Sequence, residues 1–156
     1  MIWLKNKKRL DTSKLFEVAE KLEGIPYEHN GRNYEGVDCW GVVYLFFEEL
    51  GIHLPVDDGK FISDKWYKEK PQRYLNSLKK LGKEVGHYKN LYPLDIPYFN
   101  LYRNVITHTS VMLDDRHFVH VLIDKEVTID SMERRFWRKK YKGARRIELN
   151  KYREQE

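Results

Sequence analysis

The sequence predicts an α+β domain, with helices first and an antiparallel sheet of about five strands afterwards. Two observations carry this prediction. Apolar residues recur at helical spacing through roughly the first half of the chain, and after Gly86 they alternate. A third observation makes it one domain: no linker, repeat or low-complexity run divides the 156 residues.

Residues 11–23 read as an amphipathic helix. Leu15, Val18, Ala19 and Leu22 fall on one face, Asp11 or Thr12 can cap the start, and Gly24 can end it. Residues 25–37 form a polar loop holding Pro26, Tyr27, Gly31 and Gly36. From Cys39 the pattern Val42, Val43, Leu45, Phe46, Phe47, Leu50 is apolar almost all round, which fits a buried helix stopping at Gly51. Residues 57–83 are charged and mostly helical. Phe61, Ile62, Trp66, Tyr74, Leu75, Leu78 and Leu81 suggest two short helices broken at Pro71 and lying across the core. The strand candidates are 94–99, 105–113, 118–123, 127–129 and 143–149, with Asp114-Asp115-Arg116 as the turn between the second and third.

Composition narrows the class. A hydrophobic share of 41% with 14% aromatics is that of a globular chain, and eleven of the aromatics are tyrosines, which suits a broad groove. The net charge of +5 favours anionic partners without choosing among nucleic acid, an acidic membrane face and an anionic wall polymer. A single cysteine rules out an internal disulfide and a multi-thiolate zinc site. The longest apolar run, 42–47, is far short of the roughly 20 residues a membrane-spanning helix needs, so no membrane insertion is expected. Lys5, Lys7, Lys8 and Arg9 are followed by polar residues rather than an apolar stretch, so no signal peptide is read there.

Cys39 follows a glycine-bearing loop and opens a helix, with Asp38 directly before it. A thiol at a helix N-terminus feels the positive end of the dipole, which favours the thiolate. Nearby backbone N–H groups can hold an oxyanion. Position alone leaves the alternative of a small buried hydrophobe. What separates the two is a base. If the 114–116 turn is three residues long, Leu113 lies opposite His117, His108 opposite Leu122 and His120 opposite Ser110. His108 and His120 then share a face as diagonal neighbours, with Cα atoms roughly 7–8 Å apart, and His117 takes the other face. A slip of one residue would separate them. His29, His53 and His87 sit in polar or turn-like contexts and read as solvated. No His-Glu-x-x-His helix or second thiol accompanies the pair, so no metal or other cofactor is expected.

These residues resemble the NlpC/p60 cysteine peptidases, over residues 16–147. The resemblance runs through Gly24-Ile25-Pro26-Tyr27, Asp38-Cys39-Trp40-Gly41-Val42-Val43, Gly51-Ile52-His53-Leu54-Pro55, Leu94-Asp95, the His108-to-His120 hairpin, and Tyr141-x-Gly143-Ala144-Arg145-Arg146. It implies a papain-like fold, residues 1–156 as one catalytic domain, and residues 57–83 as a helical insert. It also implies a Cys-His-His triad of Cys39 as nucleophile, His108 as base and His120 orienting the base. Tyr27 is implied to bind the oxyanion or substrate, and Asp38 to recognise substrate. Trp40 stands where the cell-wall enzymes usually have serine, at a substrate contact. The implied reaction is hydrolysis of amide bonds in peptidoglycan stem peptides, between D-glutamate and the following diamino acid.

The Asp-Cys-Trp-Gly version looks most like members encoded with phage tail and baseplate proteins. A protein made in the cytoplasm and carried to the wall on a virion tail or other assembly is therefore the expectation. The alternatives are a related thiol amidase or acyltransferase on the same site, and a structural tail component with this fold. Arg134-Arg135-Phe136-Trp137-Arg138-Lys139-Lys140-Tyr141-Lys142 interleaves cations with aromatics, as single-strand nucleic-acid binders do. Phe136, Trp137 and Tyr141 recur at near-helical spacing, however. The segment reads as a solvated basic face over an aromatic anchor, and no nucleic-acid partner is expected.

Overall fold

A computed structural model describes residues 2–3, 9–54, 76, 78–101 and 107–148. Most of the 57–83 insert, with the first of its two expected helices, lies outside the described residues; of the second, Leu78 and Leu81 are buried in the core as expected.

The chain opens with two short paired strands, β1 (Ile2–Trp3) and β2 (Arg9–Leu10). Helix α1 (Thr12–Leu22) begins where the Asp11 side chain accepts a hydrogen bond from the Ser13 amide at 3.0 Å. It buries Leu15, Val18, Ala19 and Leu22, the face expected of it. Gly24, at φ 91, turns the chain out of the helix where a side chain would be strained. The following segment is not all loop: β3 (Arg32–Asn33) and β4 (Gly36–Val37) form a small hairpin. Helix α2 (Cys39–Glu49) then buries Trp40, Gly41, Val42, Val43, Leu45, Phe46 and Phe47, and Gly51 at φ 73 closes it. A helix apolar on nearly every side must be wrapped on every side. Accordingly α2 packs against α1 and β3 and against three strands of the second half.

Those strands follow in order: β5 (Lys83–Val85), β6 (Ile96–Phe99), β7 (His108–Thr109), β8 (Val111–Met112), β9 (His117–His120) and β10 (Thr128–Ser131). A short helix α3 (Arg135–Lys140) leads directly into β11 (Tyr141–Arg146). They lie in two antiparallel sheets, β5-β11-β6-β7 and β10-β9-β8. The expected strand 105–113 joins the two. It pairs with β6 through His108 and Thr109, breaks at Ser110, and pairs with β9 through Val111 and Met112. Lys83, read as the end of a helical insert, starts β5 on the edge of the first sheet. The last strand starts and stops earlier than the expected 143–149 and bulges between Tyr141 and Gly143.

Two apolar clusters fill the domain. The larger joins α1 and α2 to Val111, Val119 and Val121. The smaller, on the far side of β9, gathers Phe99, Met112, Phe118, Met132 and Trp137. Strand β9 alternates between them, as a two-sided strand must.

Leu94 takes φ 71, a conformation favouring glycine, yet its side chain is buried in the core. Burial offsets the strain at this position, and Asp95 behind it holds Arg146 through both carboxylate oxygens, at 2.9 and 2.8 Å. Among the described residues no helix is long and apolar enough to cross a membrane.

One glycine decides how α2 is seated. A Cβ on Gly41 would come within 2.2 Å of the Gly31 carbonyl oxygen, a backbone atom with no easy way to yield. Gly41→Ala is expected to cost about 1–3 kcal/mol, read as a melting temperature several degrees lower in a thermal scan. An unchanged melt would mean that the 31–41 approach is looser than described.

Candidate active site

Cys39 is the first residue of α2, and Asp38 is its N-cap. The Asp38 carboxylate is fully engaged. Oδ1 accepts from the Gly41 amide at 2.8 Å and pairs with the Arg32 guanidinium, and Oδ2 accepts from the Asn30 amide at 3.2 Å. These bonds tie the β3–β4 hairpin to the helix start and fix the direction in which α2 presents its thiol. Cys39 itself is half-buried against the main core. Trp40 is placed differently from a groove residue: at 4% exposure it belongs to the core, leaving little of its indole to meet a ligand.

Tyr27 is brought to the same place by two backbone ladders. It forms a parallel bridge to Val37, just ahead of the Asp38-Cys39 pair, and its amide donates to the Lys125 carbonyl at 2.9 Å. Burial is the main cause pushing its phenol above the ordinary range, with the nearby charges of Cys39, Asp38 and Asp124 adding to it. The phenol therefore keeps its proton through neutral pH and stays a hydrogen-bond donor.

The hairpin follows the expected register from the turn as far as Val111 and Val119. Val111 pairs with Val119, Met112 with Phe118, and the Leu113 amide donates to the His117 carbonyl at 2.8 Å. At Ser110 the chain leaves that sheet, and His108 lies opposite Phe99 rather than the expected Leu122, yet its Nε2 comes 2.9 Å from Nδ1 of His120. His117 falls on the other face and bonds Asp114 instead. At this distance one of the two nitrogens donates a hydrogen bond and the other accepts it. Nδ1 of His108 is the nitrogen that His120 does not engage, and β7, which carries His108, packs against α2. Cys39, Tyr27 and Asp38 thus gather at the start of α2, and the histidines on the strands beside that helix.

Both histidines are almost completely buried. Burial, reinforced by the neighbouring His120 ring, holds His108 well below the usual imidazole range. Burial also lowers His120, against the opposing pull of Asp130. At neutral pH both rings are neutral, the state in which His108 can take a proton from a thiol.

The sequence reading did not single out the residues that hold this pair. Trp137 is 2% exposed. It lies nearly parallel to the His108 ring at 5.7 Å between centroids and edge-on to His120 at 4.9 Å. Asp130, on β10, places Oδ2 3.7 Å from His120 Nε2 and accepts from Trp137 Nε1 at 2.8 Å and Arg134 at 2.7 Å. The only sequence signal for Trp137 was its helical spacing from Tyr141, read as an anchor.

The NlpC/P60 family model matches residues 24–146. Among curated relatives, the murein DD-endopeptidase/murein LD-carboxypeptidase MepS of Escherichia coli is 26% identical over 136 residues. The match covers 86% of this chain and 62% of that protein. The probable peptidoglycan endopeptidase LytE of Bacillus subtilis is 26% identical over 140 residues, 88% of this chain and 35% of that protein. The chain thus spans less than two thirds of the length of these relatives. Among solved structures, an NlpC/P60 family protein from Bacillus cereus superposes with a TM-score of 0.65 at 20% identity, covering 91% of this chain and 45% of that one. The NlpC/p60 domain of the peptidoglycan hydrolase SagA gives 0.60 at 14% identity, covering 88% of this chain and all of that domain.

Proposed function

Because the chain belongs to the NlpC/P60 family, we propose that it is a cysteine hydrolase that cuts amide bonds in peptidoglycan stem peptides. The observation that carries this reading is the paired His108 and His120, 2.9 Å apart, on strands packed against the helix that starts at Cys39. The names of the relatives, murein and peptidoglycan endopeptidases, supply the substrate class.

In this reading His108 Nδ1 takes the Cys39 proton and the thiolate attacks the amide carbonyl. The tetrahedral oxyanion is met by the Tyr27 hydroxyl and by the helix start. His108 then returns its proton to the leaving amine, and water, activated by the same ring, releases the acyl group from the sulfur. Asp38 and Trp40 act from beneath, as the cap and the core anchor that aim the thiol. The cut between D-glutamate and the diamino acid, and delivery on a virion tail, are the finer parts of the proposal. They are supported by the family's habit and by the Asp-Cys-Trp-Gly version respectively.

Tyr27→Phe removes the donor and keeps the ring. It is expected to lower kcat about 10- to 100-fold with KM little changed, because the bond forms to charge that develops in the transition state. Equal loss in KM would instead make Tyr27 a substrate-binding group.

The reading as a whole is tested by digesting purified walls of defined stem composition and weighing the soluble fragments. New termini at the D-glutamyl–diamino acid bond are expected. Cleavage at another stem amide would keep the chemistry and move the bond, and no release would overturn the peptidase reading.

A further inference from the structure

We propose that Asp130 is a fourth, positioning member of the site, holding the histidine pair in the one arrangement of protons that leaves His108 able to accept from Cys39. The inference rests on the thiol-hydrolase reading and extends it to a residue outside the triad.

The argument is one of hydrogen positions. To be a base at Nδ1, neutral His108 must carry its hydrogen on Nε2. That N–H points at His120 Nδ1, 2.9 Å away, which must then be a bare acceptor. His120 must therefore carry its own hydrogen on Nε2. A buried N–H needs an acceptor, and the polar atom facing Nε2 is Asp130 Oδ2 at 3.7 Å. No other partner reaches His120 Nε2 among the described residues. A shift of less than about 1 Å closes the gap to a normal hydrogen bond. The carboxylate thus selects the His120 tautomer, and His120 in turn selects that of His108. When the Cys39 proton moves to His108 Nδ1, the positive charge spreads over the ring pair and Asp130 faces it. No proton passes to Asp130.

Asp130 is built to stay ionised. Burial works against its charge, but the His120 ring, the Ser131 amide, Arg134 and Trp137 outweigh it and hold the carboxyl below its usual range. Trp137 Nε1 also fixes the side chain in direction, from the same ring that floors both histidines. Among the described residues, the charged or titratable groups facing His120 are His108 on β7, Asp130 on β10 and Arg134 at the start of α3. Arg134 opposes the protonated pair and Asp130 favours it.

This opposition gives the test its sign. Cys39 is the only cysteine, so iodoacetamide reports on one thiol. Its alkylation rate is followed against pH in the whole chain, alongside release of stem peptides from purified walls. With both rings neutral at rest, the reactive species is the minor thiolate–imidazolium form; Asp130→Asn disfavours it and should slow alkylation on the neutral-pH plateau about tenfold, the equivalent of roughly one pH unit. Arg134→Gln removes the opposing cation and should speed alkylation on the same plateau. A residue that merely braces the fold would shift both variants alike, because both break the same Asp130–Arg134 contact. Shifts of one sign, or no shift in Asp130→Asn, overturn the proposal. Should Asp130→Asn fail to fold, Arg134→Gln still reads the sign, since that side chain is 61% exposed. Opposite shifts in a protein that releases nothing from walls would sink the peptidoglycan reading and leave Asp130's role standing.

Discussion

His108→Ala is expected to lower kcat on peptidoglycan roughly 10³-fold, within the range that a positioned general base contributes. The physical reason is that this ring has two jobs in the proposed cycle. It removes the thiol proton before attack, and it protonates the amine that leaves. Its neutral state at neutral pH is secured by burial and by the adjacent His120. As the pH falls, proton binding to the ring pair withdraws the base, so activity should fall on the acid side well below the ordinary imidazole value. His108 is buried against both Phe99 and Trp137, so the alanine variant also leaves a cavity. His108→Gln fills more of that space and separates the two effects. Comparable loss of kcat in both variants, with a recovered melting temperature in the glutamine variant, is the outcome for a base. Recovery of activity together with stability would make His108 a packing residue.

Much of this was legible in the sequence, for identifiable reasons. Helix α2 announces itself because a run such as Val42-Val43-Tyr44-Leu45-Phe46-Phe47, bounded by Asp38 and Gly51, has few ways to be satisfied except as a wrapped helix. Counting across a three-residue turn gave the register of Val111 opposite Val119, but not the break at Ser110 that sends His108 to pair with Phe99 while its ring still meets His120.

Other features depend on contacts that no local pattern carries. The β3–β4 hairpin is two residues a side and is held by Asp38 and by the close approach of Gly31 to Gly41. The break at Ser110 moves the chain from one sheet to the other without any composition change. Asp130 lay one residue beyond the expected strand 127–129. It reaches His120 only through the pairing of β10 with β9, where Thr128 faces His120. Its carboxylate looks, in sequence, like any other surface acid. Trp137 was read correctly as an anchor, but that the anchored object is the histidine pair requires α3 to fold back under β7 and β9.

The second large effect concerns Cys39. The thiol is proposed to carry the acyl group of the cut bond, so nothing in the site replaces it. Cys39→Ala should abolish turnover, a loss of about 10⁴-fold or more. The side chain is small and half-buried, and the cap formed by Asp38 on Gly41 does not involve the sulfur. The variant should therefore melt within a few degrees of the wild type. Its thermal scan accompanies the assay so that lost activity is not lost fold.

The most direct measurement runs wild type and Cys39→Ala side by side on purified peptidoglycan and compares the soluble fragments by mass. The account predicts stem peptides from the wild type and none above background from the folded variant. Undiminished release by Cys39→Ala would contradict it.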